Sequence, residues 1–247
     1  MRKMILLVWL LSAALYAQKI YATFDVEASR SAELSLTSSG IIEKISVEVG
    51  SRVKKGDVLL WLENRDLKEA LELAKARLEL AQINARYAER DFRRFEKVKK
   101  VIDEGVYDQY ASAYERAKSS VREAKINIRY KQELLDKTIL KAPFDGVIND
   151  KPVEIGDVVS GAMIKVLLRL QSAKQAKLKL AVDQKYWKVL KTGMLFNYRV
   201  DGDETARQGR LSKIYPTANS KNRKIIVEVP AKNIMPGLFG EGEIEVE

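Results

Sequence analysis

The side chains that most often perform chemistry in proteins are missing from this sequence. Its 247 residues contain no cysteine and no histidine, which removes the thiol nucleophile, the commonest metal ligand and the commonest general base. Disulfides and a lipid-modified N-terminal cysteine are excluded for the same reason. The five methionines are scattered, so no thioether metal cluster is expected. An enzyme could still be built from serine, lysine and carboxylates, but we predict no catalytic residue, no metal site and no cofactor.

Positive charge is the feature of the sequence that most favours binding to a partner. The formal net charge is +10 at pH 7, and basic residues crowd one short stretch at Arg93, Arg94, Lys97, Lys99 and Lys100. Such a cluster can bind acidic protein surfaces or anionic lipid headgroups. It can equally be a solvated face that suits the negative end of a helix macrodipole. The elements around the cluster decide between these interpretations.

Two long helices are predicted on either side of this cluster. Apolar residues recur in steps of four and three from residue 66 to about residue 103, and again over residues 110–135, where Lys131 is the one polar exception. This is a heptad seam, and we expect one such apolar stripe per helix. With a short turn near residues 104–107, the two seams predict an antiparallel coiled-coil hairpin over residues 65–137 that stands in solvent. A helix pair buried in a larger bundle is the alternative.

A short internal repeat brackets the predicted hairpin. Gly40 and Gly50 are ten residues apart, and so are Gly146 and Gly156. In both copies apolar and β-branched residues follow the first glycine and alternate with polar residues before the second, as in strands joined by turns. We therefore predict one pseudo-symmetric β-domain, made of residues 37–64 and 138–173, with the hairpin inserted between its halves. Chance similarity of two strand-rich segments is the alternative.

The last part of the chain alternates between short strands and glycine-containing turns. Leu178, Leu180 and Val182 are separated by polar residues, and similar strand patterns recur up to residue 246. Strands at this spacing predict a small antiparallel β-barrel over residues 174–247, to which residues 18–36 add a strand. The predicted fold class is therefore mainly β, with a long α-helical hairpin.

The first 17 residues predict a secretory signal peptide. Arg2 and Lys3 precede an apolar run over residues 4–11, which is too short to cross about 30 Å of hydrocarbon as a helix. Ala17 is the natural cleavage point. We therefore expect an exported protein of the periplasm, for which nucleic acid is a poor partner. Its charge instead favours an acidic protein surface or a peripheral contact with anionic lipids.

Three passages resemble the membrane fusion proteins, or HlyD-like periplasmic adaptors of tripartite efflux systems. Residues 39–59 resemble the first lipoyl half-motif of that family, and residues 139–148 with 153–158 resemble the second. The glycines of residues 193–239 fall where the family's barrel has its turns. The resemblance implies a lipoyl-like barrel-sandwich hybrid domain beside the barrel. Its motif turns are expected at Gly40, Gly50, Gly56, Gly146 and Gly156.

The resemblance also implies a function. Adaptors of this family are not enzymes; they form a homo-oligomeric ring or funnel that joins an inner-membrane transporter to a TolC-type outer-membrane channel. This chain is then expected to serve small-molecule efflux with a proton-driven pump of the resistance–nodulation–division (RND) type, and to be held at the inner membrane by that transporter. The alternatives are an adaptor of an ATP-driven (ABC-type) exporter, or a periplasmic scaffolding or binding module without a pump.

Two differences from related proteins add detail to this expectation. Lipoyl-type carriers bear lipoate or biotin on a lysine at the tight turn between the two halves. Here residues 65–137 replace that turn, so no modified lysine is expected.

Many adaptors continue past the barrel into a membrane-proximal domain. Because the sequence stops at Glu247, we expect that domain to be absent or vestigial, and the transporter contact to use the barrel or the N-terminal stretch.

The resemblance places the channel contact at the hairpin tip. Members that work with RND pumps often carry there an arginine, a leucine four residues on and a serine seven further. Counted from Arg94, these positions hold Val98 and Gly105; aligned on residues 107–109, the serine position falls near Asp103. Neither register supplies the serine. The predicted contact residues are Arg93, Arg94, Lys97, Val98, Asp103, Gly105 and Tyr107.

Overall fold

The structure is a computed structural model that describes residues 18–246. These residues divide into two compact units, one made of residues 18–31 and 171–246 and the other of residues 32–170. The predicted signal peptide and its cleavage after Ala17 lie outside the described residues. Within residues 18–246, neither long helix is apolar enough to cross a membrane. The three-module division expected from the sequence stays a prediction.

The described chain contains fifteen strands, two long helices and one short 3-10 helix (Gln184–Tyr186). The first unit contains β1 and β10–β15, and the second contains β2–β9 with both helices. The elements are β1 (Gln18–Ala28), β2 (Ser31–Leu34), β3 (Gly40–Ile45), β4 (Arg52–Val53), β5 (Val58–Leu62), α1 (Arg65–Glu96), α2 (Glu104–Asp136), β6 (Ile139–Lys141), β7 (Gly146–Asp150), β8 (Val158–Val159), β9 (Leu168–Gln171), β10 (Gln175–Asp183), β11 (Leu195–Val200), β12 (Asp203–Arg210), β13 (Lys213–Asn219), β14 (Lys224–Lys232) and β15 (Phe239–Val246).

The first unit is a seven-stranded antiparallel sheet that curls on itself. Its strand order is β12-β11-β15-β1-β10-β14-β13, so the edge strands β12 and β13 are consecutive in the chain and joined by only Leu211 and Ser212. Such a short link requires the two edges to approach. A Cβ on Gly209 of β12 would lie 2.4 Å from Cγ1 of Val229 in β14. The small antiparallel barrel expected from the sequence corresponds to this curled sheet.

The barrel core follows from the alternation seen in the sequence. Side chains on one face of each strand are buried, because successive residues of a strand point to opposite sides. Phe24 makes edge-to-face contacts with Phe196 and Tyr198, at centroid distances of 5.8 and 5.5 Å. The largest fully buried side chains of this core are Ile20, Leu178, Leu180 and Phe196.

The second unit contains two four-stranded sheets, with strand orders β2-β9-β7-β4 and β6-β5-β3-β8. The predicted repeat appears here as two reciprocal pairs of backbone hydrogen bonds. Gly50 N–H donates to the Ile148 carbonyl at 2.8 Å, and Gly156 N–H donates to the Ile42 carbonyl at 2.9 Å. In return, Ile148 N–H donates to Ser51 and Ile42 N–H donates to Asp157, at 3.0 and 2.9 Å. Equivalent backbone hydrogen bonds therefore join the two halves in a pseudo-two-fold arrangement.

The motif glycines have two different roles. Gly50, Gly56 and Gly156 have φ values of 89°, 93° and 95°, and they occupy turns that need the left-handed region. The prediction that Gly40 and Gly146 also form turns is wrong, since they begin β3 and β7. Gly40 is needed for close packing, because a Cβ there would lie 3.2 Å from Cβ of Leu62. Gly146 is buried and pairs with Val53.

The two four-stranded sheets form the sandwich of the second unit. The helical hairpin leaves and re-enters this sandwich between two paired strands. β5 and β6 are hydrogen-bonded neighbours, with Trp61 opposite Ile139, and both helices lie between them in the chain. At this base, Asn64 Nδ2 donates to Thr138 Oγ1 at 3.0 Å, and Thr138 Oγ1 donates to the Leu135 carbonyl at 2.6 Å. Asn64 and Thr138 each keep only 2% of their surface exposed. A buried polar contact thus fastens the two helix ends to each other.

The predicted seams do face each other. Leu71, Ala74 and Leu135 are buried, and the seam residues farther from the sandwich are half-buried. The helix ends differ from the prediction: α1 stops at Glu96 and not near residue 103. The connection therefore consists of residues 97–103, and the turn expected at residues 104–107 is instead the first turn of α2.

Candidate docking site at the hairpin tip

The tip begins where Asp103 starts the second helix. Its backbone is extended (φ −61°, ψ 135°), and its carboxylate accepts hydrogen bonds from the N–H groups of Gly105 at 2.9 Å and Val106 at 3.3 Å. An aspartate N-cap satisfies N–H groups that have no partner within the helix, and its charge suits the positive helix end. Gly105 therefore lies inside α2 and does not interrupt a helix.

A stack of aromatic side chains holds the two helices together just below the tip. The rings of Phe92 and Tyr114 stack at a centroid distance of 5.4 Å, and Phe92 also contacts the Tyr107 ring at 5.9 Å. Phe95 and Tyr110 stack one turn closer to the tip. Aromatic pairs of this kind contribute beyond the area that they bury. They fix the positions from which the connecting residues project.

Six of the seven predicted contact residues are exposed and Tyr107 is half-buried, but they differ in whether they have a structural role. Arg94, Lys97 and Val98 are exposed at the end of α1 and the start of the connection. Arg93 is exposed too, but its guanidinium pairs with Glu89 at 2.5 Å, and this hydrogen bond raises the pKa of Arg93. Asp103 and Gly105 form the helix cap and Tyr107 packs against Phe92. The structure thus assigns Arg94, Lys97 and Val98 to the free surface of the tip.

The tip also has exposed apolar surface that was not predicted from the sequence. Val101 keeps 83% of its surface exposed, the highest value among the valines described, and Val98 and Val106 keep 41% and 37%. Lys99 Nζ lies 4.1 Å from the centroid of the Tyr107 ring, a cation–π contact. The signal was the run Val98-Lys99-Lys100-Val101-Ile102, whose valines stand out among charges. The tip therefore combines lysines with exposed valines, a surface suited to binding an acidic partner that also has apolar patches.

Acidic side chains are not clustered in the rest of the described chain. Within residues 18–246, no three His, Cys, Asp or Glu side chains come together in a group that could hold a metal ion. Hydrogen bonds from Thr205 and Arg207 lower the pKa of Asp203 to about 2. The Asp203 side chain is half-buried, and its carboxylate pairs with Arg207 on the same strand of the barrel.

Comparison with known proteins identifies the family. Residues 30–168, more than half of the chain, match the model of the CzcB-like barrel-sandwich hybrid domain. The chain belongs to this family of membrane fusion proteins. Its members are adaptors and not enzymes, so the expectations of an adaptor family and of a non-enzymatic protein are confirmed. The matched residues span β2–β8 and the entire hairpin.

Individual members resemble the chain at low identity. It is 26% identical over 230 residues to the macrolide export protein MacA of Yersinia pestis, covering 84% of this chain and 61% of that protein. It is 29% identical over 137 residues to the cobalt-zinc-cadmium resistance protein CzcB of Cupriavidus metallidurans, covering 49% of this chain and 24% of that protein. This membrane fusion protein chain thus spans about a quarter to three fifths of the length of these relatives.

A solved structure shares the fold. A MacA-MexA chimera that contains the α-hairpin domain of Pseudomonas aeruginosa MexA superposes with a TM-score of 0.73 at 20% identity, over 94% of this chain and 83% of that chain. The mainly β fold class with a helical hairpin is therefore that of solved membrane fusion proteins.

Proposed function

We propose that this membrane fusion protein is a periplasmic adaptor that links an inner-membrane transporter to a TolC-type outer-membrane channel for the efflux of small molecules. The observation that carries the proposal is the hairpin, inserted between the paired strands β5 and β6 and ending in the exposed connection of residues 97–103. An α-helix of 32 residues reaches about 48 Å. Family membership and the relatives named for export and resistance support the same function.

The tip is our proposed channel contact. Arg94, Lys97 and the neighbouring lysines supply positive charge, and Val98 and Val101 supply apolar surface next to it. Charges at the rim of a contact favour fast, selective encounter, whereas desolvated apolar side chains contribute most of the affinity.

Cysteine crosslinking tests this contact cleanly, because the chain has no cysteine of its own. We expect Val101→Cys or Lys97→Cys, in cells that produce the full chain, to crosslink to an outer-membrane channel. Ser220→Cys, exposed in a turn of the barrel unit, is the matched control and should not react with the channel. A channel adduct at Ser220→Cys with none at the tip would show that the hairpin points elsewhere.

For the transporter, we propose an RND-type proton-driven pump, with an ABC-type exporter as the alternative. The RND assignment rests on the family resemblance, and neither register of the RND-type tip motif supplies its serine. Identifying the transporter that copurifies with the chain after membrane crosslinking separates the two classes. Loss of export on collapse of the proton gradient, with ATP levels kept constant, is the expected result. If deletion of the chain changed no export, a scaffolding module without a pump would be the better description.

A further inference from the structure

One end of the barrel is covered by the segment that joins β10 to β11, residues 184–194. Because β1 and β15 lie between those two strands in the sheet, the segment crosses over their ends. Tyr186, Val189 and Leu190 pack against the barrel core, and Leu190 keeps only 8% of its surface exposed. Trp187, between them in the sequence, keeps 65% exposed. The segment therefore has an inner apolar side and an outer side that leaves a tryptophan in solvent.

Lysines surround Trp187 on this outer side. Lys185, Lys188 and Lys191 are all exposed. The ammonium of Lys188 lies 5.5 Å from the centroid of the Trp187 ring, and that of Lys185 lies 4.9 Å from the Tyr186 ring. Within residues 18–246, none of these three lysines forms an ion pair with a carboxylate. Their charges are therefore available to an anionic partner.

A neighbouring turn adds two further cations. The turn between β13 and β14 contacts the segment, because Gln184 N–H donates to the Arg223 carbonyl at 3.0 Å. Lys221 and Arg223 are both exposed, and neither pairs with a carboxylate of the described chain. We call this group the lysine–tryptophan surface, and its residues are Lys185, Trp187, Lys188, Lys191, Lys221 and Arg223.

The carboxylates at the same end of the barrel already have partners. The register of β1 with β10 and β15 places Asp183, Glu243 and Glu245 there. Asp183 accepts the backbone N–H of Lys185 at 3.0 Å, Glu243 pairs with Lys19 at 2.6 Å, and Glu245 accepts a hydrogen bond from an amide side chain. Six cations, the five above and Lys19, thus stand against three carboxylates, so this end is positively charged.

Apolar surface lies directly beside these charges. Trp187 lines a groove of 540 Å³ together with Ile214, Pro216 and Ala218 on β13, and Lys185 lines the same groove. A groove that combines apolar side chains with a cation suits a molecule that is itself amphipathic and anionic.

The composition of the surface favours lipid over an acidic protein. Lysine is depleted in protein–protein interfaces, where arginine is enriched, and four of the five exposed cations are lysines. Lysines are attracted to an anionic bilayer without needing partners at fixed positions. Tryptophan prefers the depth of the lipid headgroups, where its ring is apolar and its N–H is hydrated. Both residue types therefore fit a bilayer surface.

We infer that the lysine–tryptophan surface binds an anionic phospholipid bilayer directly, with its cations at the headgroup phosphates and the Trp187 ring between the headgroups. The inference rests on the proposed periplasmic location, and it is independent of the channel contact and of the class of transporter. The chain passes from the barrel to the second unit at the opposite end, after Ala28 and before Gln175. Those connections do not cross the lysine–tryptophan surface.

Vesicle flotation with the full chain, as cells export it, tests the charge requirement. We expect the chain to float with phosphatidylcholine vesicles that contain about a third phosphatidylglycerol, and not with phosphatidylcholine alone. Lys185→Glu/Lys188→Glu should weaken binding more than roughly tenfold. The control Lys174→Glu/Lys232→Glu reverses two exposed lysines at the opposite end of the barrel and should change binding much less. Absence of binding to the anionic vesicles, or equal loss in both double variants, would overturn the inference.

Tryptophan emission tests the insertion of the ring. Phosphatidylglycerol with brominated acyl chains should quench the emission of the native chain, and Trp187→Phe supplies the background from the other tryptophans. Trp187→Ala should weaken vesicle binding by roughly tenfold, because the apolar area of the ring is lost. Equal quenching of the native chain and Trp187→Phe would contradict insertion.

A protein partner would give a different pattern. In cells, crosslinks from Lys188→Cys to an inner-membrane protein, combined with no vesicle binding by the purified chain, would show that the surface contacts protein and would overturn the inference. The channel adduct of Val101→Cys should persist in Lys185→Glu/Lys188→Glu. Its presence without vesicle binding would refute the lipid contact alone, whereas vesicle binding without the adduct would count against the proposed adaptor function alone.

Discussion

The ring of Phe95 in α1 lies 3.8 Å from the ring of Tyr110 in α2, centroid to centroid, with the two planes inclined by 13°. This stacked pair joins the last turn of α1 to the second turn of α2, next to the connection of residues 97–103. It therefore closes the hairpin at the end where the chain must reverse direction.

Removing this stack should loosen the tip. We expect Phe95→Ala to lower the free energy of unfolding by about 1–3 kcal/mol, because both buried apolar area and the aromatic contact are lost. Phe95→Leu should cost less, since it loses the stacking but retains most of the apolar side chain. Urea unfolding followed by circular dichroism gives the difference. Equal stability of the alanine variant and the native chain would contradict a structural role for the pair.

The base of the hairpin offers a second test. Thr138→Val removes the partner of the buried Asn64 amide, whose Oδ1 already lacks a hydrogen-bond partner among the described residues. Leaving a buried amide unpaired should cost about 1–3 kcal/mol. Thr138→Ser keeps the hydroxyl and should be nearly neutral. Thermal unfolding of the three proteins compares them directly, and a valine variant as stable as the serine variant would refute the assignment.

The cap at Asp103 can be separated from a docking role. Asp103→Ala should destabilise the start of α2 by about 0.5–2 kcal/mol, and the amides of Gly105 and Val106 should exchange hydrogen faster. Asp103→Asn keeps a capping oxygen, so exchange at both amides should stay slow. If the asparagine variant lost the channel crosslink of Val101→Cys while its amides stayed protected, the charge of Asp103 itself would be part of the contact.

A pH dependence is expected in the barrel unit. Hydrogen bonds from Thr205 and Arg207 lower the pKa of Asp203 from 3.8 to about 2. A lowered folded-state pKa stabilises the fold above the unfolded pKa, and this stabilisation is lost as the pH falls through the folded value. The stability difference between the native chain and Asp203→Asn should therefore be constant above about pH 5 and shrink between about pH 4 and pH 2. A difference that stayed constant down to pH 2 would contradict the lowered pKa.

The hairpin could be predicted from the sequence because the buried face of each helix requires apolar residues at regular, helical spacing. Seam positions such as Leu71, Ala74 and Leu135 recur at helical spacing, and they are the buried residues of the two helices. The ends of the helices were predicted less accurately, because each end depends on a few local residues that can either continue or stop the helix. Gly105 suggested a break, whereas the carboxylate of Asp103 starts the helix two residues earlier and tolerates a glycine in the first turn.

The predicted single stripe per helix is wrong for α1. Leu73, Leu80 and Tyr87 form a second stripe that the sequence already contained, but a template that follows one seam passes over it. The glycine roles could not be separated from sequence in the same way. Whether Gly40 needs a positive φ or simply room beside Leu62 depends on a neighbour twenty-two residues away in the chain.

The pairing of β5 with β6 has a consequence for how such chains can vary. The sandwich is complete without the helices, because the strands that flank them are already hydrogen-bonded neighbours. Deleting seven residues from α1 and the seven facing them in α2 would shorten the hairpin by about 10 Å and leave both the seam and the strands in register. Hairpin length can thus change in whole-heptad steps while the β-domain that carries the hairpin stays the same.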